Sequence, residues 1–411
     1  MSENLIDKNI VKFGFYGFLK NLQFFEPFIY LYFLAVGLNY FQIGIILSIR
    51  EISTYVFEIP TGVIADTWGK KRSMLLCFTF YSISFAVYWT AETFWIIALA
   101  SVFFGLGEAF RQGTHKAIIF DYLDYRGIPD RKSEVYGFTS AVAQVGSALS
   151  AILAAALLLW RRDYHLIFLF SIIPYAAAFM LILTYPPEKR NYEEGQSLGR
   201  LMWEHAKESL GVLTNIGSLH HVLMNSSTFD GTFMASRDYV QPLVRDFLVA
   251  APVLAVLGDD FTQETVTVSL LYLLLHLVGA VASRYAYRIN DYFSSPLGPL
   301  NAIFIGQALV LFLVGLFSEI SLIAVFLLFL LLKAAMYSRR PLLLAHLDKQ
   351  IDEKQRATML SIENQLRALT VVVVAPILGA IAEYFSLRIM FMSAGGAMAL
   401  LYFVALRFKE N

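Results

Sequence analysis

Charged or titratable side chains stand at a dozen places where an apolar helix would hold none: Glu26, Arg50, Glu51, Glu58, Glu108, Arg111, Asp230, Arg237, Asp238, His276, Lys333 and Arg367. A charge at the centre of a bilayer costs about 2.5–3.5 kcal/mol on insertion scales, so each must pair, meet water or bind something. Two kinds of chemistry suit these residue types. Glu26, Glu58, Glu108, Asp230 and His276 could take up and release a proton. Arg50, Glu51, Arg111, Arg237, Asp238 and Lys333 could contact a polar or charged solute. Glu26 lies in "LQFFEPFIY", beside Pro27 and ringed by Phe24, Phe25 and Phe28. Desolvation there penalises the charged carboxylate, which suits a group that loads and unloads a proton. His276 is the side chain whose ordinary titration falls near neutral pH. Lys333, alone in the middle of "AVFLLFLLLKAAMYS", needs an acid from another helix or an anionic ligand.

Pairing is the plainer reading for several of these charges. Glu108 and Arg111 are spaced i, i+3, and Glu363 and Arg367 i, i+4, so each pair shares one helix face. Arg237 and Asp238 are neighbours in sequence, about 100° apart on a regular helix, and are expected to face different ways. Enzyme chemistry finds no support. H-E-x-x-H and G-x-S-x-G are absent, His220-His221 is too isolated to argue for a metal, and Cys77 is the only cysteine. No P-loop is present, so no nucleotide drive and no cofactor are expected.

These charges sit on elements of a membrane protein. Of 411 residues 57% are hydrophobic and 16% charged, far from a soluble composition. Residues 73–91, "SMLLCFTFYSISFAVYWTA", carry no charge and are just long enough to cross about 30 Å of hydrocarbon. Hydropathy predicts helices at about 10–37, 41–66, 73–91, 94–122, 134–159, 164–185, 218–249, 264–289, 299–317, 320–344, 357–384 and 387–407. With both termini cytoplasmic, almost all Lys and Arg in the tails, in the loops and at the span ends fall on one side, Arg339 and Arg340 near the end of helix ten among them. The other side holds Arg161, Arg162 and Arg388. No removable signal peptide is expected. The polar gap 188–217 divides the chain into residues 1–187 and 218–411, six helices each, and "LGRLMWEHAKESLGVL" within it could lie along the inner membrane surface. Helix seven, with Asp230, Gly231, Arg237, Asp238, Gln241 and Pro242, is expected to be broken. Net charge is zero, which gives no reason to expect a nucleic-acid partner.

Between helices two and three runs "FEIPTGVIADTWGKKRSM", 57–74. Gly62, Asp66, Gly69, Lys70 and Lys71, extended by Arg72, match G-x-x-x-D-[RK]-x-G-[RK]-[RK], with Thr67 in place of the first basic residue. With twelve helices and a central loop, this resembles the major facilitator superfamily. Glu58 and Pro60 ahead of the first glycine, and "GLGEAFRQGTHKAIIFDYL" at 105–123, are similar to drug-exporter-like and poorly characterised bacterial members. Arg111 resembles the family's helix-four arginine. The Gly-Pro antiporter signature of helix five is absent. The resemblance implies an all-α membrane protein with twelve transmembrane helices in two six-helix bundles. It also implies a monomeric secondary active transporter in the cell (inner) membrane, proton-coupled, working by alternating access as antiporter or symporter. The 62–72 joint would act as a conformational latch. Aromatics alternating with Lys20, Asn21, Gln23 and Glu26 in helix one suggest a small amphipathic organic solute, as for a drug-type exporter. The cations on helices two, four, seven and ten suit an organic anion or zwitterion, as for an importer. A transport-inactive receptor or scaffold on the same fold is the alternative.

Overall fold

The computed structural model describes residues 7–186, 220–250, 255–293, 297–347 and 353–406. The central loop 188–217 and its expected surface helix lie outside the described residues. The described residues are helical, with no strand among them. Helical segments occur at each of the twelve predicted spans, and eight helical runs are long and apolar enough to cross a membrane unaided. Breaks or charges set the others apart. Helix one is α1 (Lys8–Lys20), a 3-10 turn at Glu26–Phe28 and α2 (Ile29–Ala35). Helix two, α3 (Tyr40–Trp68), carries Arg50, Glu51, Glu58 and Asp66, and α4 (Lys70–Trp89) opens on three cations.

Two corrections to the expected spans follow. Helix one is not continuous across 10–37: α1 ends at Lys20, and Pro27, which has no N–H, stands in the 3-10 turn before α2. Helix four is not continuous across 94–122: α5 (Phe94–Arg111) stops at Gln112, Gly113 has φ +72°, and α6 (Thr114–Tyr125) restarts. Only glycine takes that backbone without strain.

Contacts divide the chain into two compact units. The first joins the described residues up to Glu26 with those from Ile52 to Pro186. In it α4 packs on α5 and on α8 (His165–Leu183), and α1 packs on α7 (Lys132–Arg161). Its interior is aromatic: Phe25 stacks on Phe168 and meets Phe85 and Phe104, and Tyr175 meets Phe85 and Tyr81 edge-on. Gly146 lets α7 approach α1 so closely that a Cβ there would lie 2.5 Å from the Phe18 carbonyl oxygen. Small residues at such crossings supply the van der Waals contact that replaces the hydrophobic effect inside a membrane. Gly146→Leu should therefore cost about 1–3 kcal/mol through overpacking, read as a lower melting temperature in detergent. Gly137→Leu, at an open position, should be nearly silent.

The second unit joins Pro27–Glu51 with the described residues from His220 onward. Helix seven is α9 (His220–Ser236), a 3-10 turn at Arg237–Tyr239 and α10 (Val240–Ala250), broken as its composition predicts. Then follow α11 (Asp260–Tyr285), α12 (Gly298–Phe317), α13 (Leu322–Leu347), α14 (Glu353–Tyr384) and α15 (Leu387–Leu401). α9 packs on α14, α11 on α13, and α12 on both α13 and α15. The start of α3 lies against α14 through glycines: a Cβ on Gly44 or Gly379 would meet the Ala375 or Tyr40 carbonyl oxygen at 2.4 Å. Ser48 donates to the Val372 carbonyl at 2.9 Å, and the Tyr30 N–H donates to Gln241 Oε1 at 2.8 Å.

Candidate functional site

In the first unit the charges gather where α1, α4 and α5 meet. Arg111, on the last turn of α5, donates to both carboxylate oxygens of Glu108 one turn earlier. The buried Tyr81 of α4 donates its hydroxyl to the same carboxylate. Lys20, at the end of α1, lies in electrostatic range of Glu108, Arg111 and Glu26. Its carbonyl accepts the Tyr175 hydroxyl at 3.0 Å, and Gln23 donates to that hydroxyl at 3.0 Å. His115 stacks on Tyr16 with ring centroids 3.7 Å apart. Glu26 is half-buried in its 3-10 turn, and its N–H donates to the Gln23 carbonyl at 3.1 Å. Glu58 is half-buried on α3, on the turn before Pro60.

The 57–74 segment has well-defined roles within this unit. Gly69 has φ +99° and separates α3 from α4. Lys70 bridges to Asp121 of α6 at 2.5 Å. Lys71 donates to the Leu183 and Tyr185 carbonyls at 2.8 and 3.1 Å, satisfying orphan acceptors at the end of α8. Thr67, where the motif has a cation, turns its hydroxyl onto the Val63 carbonyl of its own helix. Gly62 faces open space. Asp66 and Arg72 are exposed, and neither has an ion-pair partner among the described residues.

The second unit holds a denser network between α9, α13 and α14. Glu363 is 2% exposed; it accepts from the Ser226 hydroxyl and from Arg340 at 2.7 Å. Arg340 also reaches Asp230 at 4.0 Å. Arg339, 2% exposed, donates to Asn225 and Ser226 and lies 4.4 Å over the Phe229 ring. Arg339 and Arg340 are therefore not loop cations, as their position near the end of helix ten suggested. Arg367 is not paired with Glu363 either: its Nη1 meets the Met234 sulfur at 3.3 Å, and its Nε has no hydrogen-bond partner. Equal spacing on one helix lost to a better acceptor geometry across helices.

A second network surrounds the break in helix seven. Arg237 and Asp238 do meet, at 3.3 Å, because the long arginine side chain folds back over its neighbour, as Arg245 does over Asp246 in a regular helix. Tyr272 of α11 donates to Asp238 at 2.7 Å, and Gln241 donates to Tyr272 at 2.7 Å. Arg50 and Glu51 lie 3.8 Å apart. His276 of α11 is buried, as is Lys333 of α13, 7% exposed and 5.0 Å from the Tyr337 ring. A separate cavity of about 530 Å³ lies between α9, α14 and α15. Its lining includes Thr232, Thr370, Val373 and Ser393 and no ionisable side chain. Among the described residues no cluster of His, Cys, Asp or Glu could hold a metal.

Sequence reasoning missed the charge network around Lys20, and it missed Tyr81, Tyr272, Asn225, Ser226, the burial of Arg339 and the bridging role of Arg340. Only Lys20 carried a signal, as a cation deep in helix one. The others acquire their roles through partners on distant helices.

Comparison with known proteins identifies the family. The family model of the Major Facilitator Superfamily matches residues 14–366. An uncharacterized MFS-type transporter, YxaM of Bacillus subtilis (strain 168), is 31% identical over 104 residues, 24% of this chain and 26% of that protein. A probable L-galactonate transporter of Escherichia coli (strain K12) is 26% identical over 129 residues, 31% of this chain and 28% of that protein. The matched stretches thus span about a quarter of these curated relatives. The solved nucleoside transporter NupG superposes with TM-score 0.78 at 12% identity, covering 98% of this chain and all of that one, a likeness of fold. The chain, a multi-pass membrane protein, belongs to the major facilitator superfamily, a family of transporters and not of enzymes.

Proposed function

We propose that the protein is a secondary active transporter that moves a small organic solute by alternating access, driven by protons. It would work as a monomer in the cell membrane with both termini cytoplasmic. The observation carrying this reading is that each unit of a major facilitator fold holds buried ionisable networks on its membrane-spanning helices. Such groups in spanning helices mark solute paths and proton relays. The proton carrier is sought among Glu26, Glu58, Glu108, Asp230 and His276. Arg50, Glu51, Arg111, Arg237, Asp238 and Lys333 are the candidate solute contacts. A relative that carries a sugar acid favours an organic anion over a drug-like amphiphile. The test is reconstitution in proteoliposomes with an internal pH dye and solutes added from a panel of classes. Solute-dependent proton movement supports the reading, and its absence for every solute refutes it.

The latch belongs to the same reading. Asp66 is exposed at the end of α3 and its carboxylate is uncommitted within its own unit, which suits a contact made in one state and released in another. Asp66→Asn should slow transport several-fold while leaving expression and melting temperature near wild type. It should also change the labelling of single cysteines placed at the two membrane faces. Unaltered flux and labelling would remove Asp66 from the mechanism.

A further inference from the structure

In the second unit the buried and half-buried cations of α13 and α14 outnumber the acids that could balance them. Lys333, Arg339, Arg340 and Arg367 stand against Asp230 and Glu363. The network uses both acids: Glu363 takes Arg340 and Ser226, and Asp230 lies nearest Arg340. Arg339 is satisfied by Asn225, Ser226 and the face of Phe229. Two cations remain. Among the described residues no carboxylate lies within bridging distance of Lys333 or Arg367. Their contacts are the Tyr337 ring and the Met234 sulfur, weak acceptors for a full charge.

These two lie at similar depth. Five positions separate α13 from α14, short enough to make the two helices run antiparallel. The Arg340–Glu363 bridge then fixes their register. Lys333 lies seven residues before Arg340, and Arg367 four residues after Glu363, in the same direction from the bridge. At 1.5 Å per residue that is about 10 Å and about 6 Å, within one helical turn of each other. On the other side of Lys333, a Cβ at Gly279 of α11 would touch the Tyr337 ring at 3.4 Å, and Ser338 donates to the Ala282 carbonyl at 3.4 Å. One turn back along both helices, that pairing sets His276 opposite Lys333. Among the described residues the level offers an ammonium, a guanidinium and an imidazole. Asp230, next to the Gly231 that packs on the Arg367 carbonyl, is in electrostatic range of Arg367, and no acid bridges Lys333.

We infer that the solute carries a carboxylate or an equivalent anionic group, held at Lys333 with Arg367 at the same depth. This deepens the transporter reading and rests on it. A buried ammonium with no acid beside it is uncompensated in the empty protein, and a ligand anion supplies the missing charge. Arg340 and Glu363 then act as the support that holds α13 and α14 in register.

Thermal stabilisation of the purified full chain by sodium gluconate, glucuronate and benzoate tests this. Glucose and benzyl alcohol serve as uncharged counterparts, and sodium chloride at equal ionic strength sets the baseline. At least one organic anion should raise the melting temperature saturably, and the uncharged counterparts should not. Lys333→Gln should weaken that binding about tenfold or more, and Lys333→Arg should retain much of it, since the charge persists and only its geometry changes. Arg367→Gln, folded as wild type, should weaken it less. Stabilisation by the neutral compounds alone, by none of the panel, or equally by chloride would overturn the inference, as would anion binding undiminished in Lys333→Gln. Each of those results leaves solute-coupled proton movement in proteoliposomes to be judged separately, so the two readings fail independently.

Discussion

Glu363→Ala should destabilise the second unit by about 3–5 kcal/mol, the range for removing one partner of a buried ion pair. The carboxylate is 2% exposed and receives Arg340 and Ser226. Its loss leaves the guanidinium of Arg340, and that of the neighbouring buried Arg339, with Asp230 alone for balance. Glu363→Gln should cost less, because an amide oxygen still accepts from Ser226 and Arg340. The two possible arginine partners separate in double-mutant cycles. Glu363→Ala with Arg340→Ala should be strongly non-additive, since the second substitution removes the charge that the first stranded. Glu363→Ala with Arg367→Ala should be close to additive. Unfolding in mixed micelles, followed by circular dichroism, reads all of these. Equal coupling for both pairs would mean that the helical i, i+4 pair forms after all.

That comparison also marks the limit of what was legible in the sequence. Helix positions were legible because a bilayer demands runs of apolar residues and leaves little freedom in where they stop. The break in helix seven was legible because polar residues and a proline crowd one short stretch. The break in helix four was not: "GLGEAFRQGTHKA" reads as a continuous small-residue face, and only φ at Gly113 shows that its glycine serves a turn. Side-chain pairing was legible when both partners lie on one regular helix, as with Glu108 and Arg111. It was misjudged where a long arginine side chain folds back onto its sequence neighbour, as at Arg237–Asp238, and where a partner on another helix competes. Arg340 takes Glu363 from across helices, and no spacing along one helix reports that. Arg339 and Arg340 show the same limit in charge counting: two adjacent cations near a helix end look topogenic, yet one of them is buried among Asn225, Ser226 and Phe229.

Glu26→Gln should abolish gradient-driven accumulation while leaving downhill exchange of the solute intact. A proton crossing a pH gradient of one unit supplies about 1.4 kcal/mol, enough for tenfold accumulation. In Glu26→Gln vesicles that ratio should fall to about one by the same relation. Three features of its surroundings motivate the expectation. Glu26 lies in the 3-10 turn that separates α1 from α2, beside a proline, so the helix is already opened there. Its neighbour Phe25 packs against Phe85, Phe104 and Phe168, which makes the local interior apolar. Lys20, six residues earlier at the end of α1, is in electrostatic range and gives the carboxylate a cation to respond to. The rival role is a fixed ion pair with Lys20 that only holds the turn together. A fixed pair predicts that Glu26→Gln lowers the melting temperature and weakens solute binding equally at every pH, with Lys20→Met doing the same. A proton carrier predicts near-normal stability, retained binding and a flattened pH dependence between about pH 5.5 and 8.5, a window that brackets neutrality as coupling requires. The decisive comparison is solute binding against pH for wild type, Glu26→Gln and Lys20→Met. Should wild type and Glu26→Gln bend at the same pH, Glu26 is not the carrier, and the same measurement moves to Glu58, Glu108, Asp230 and His276.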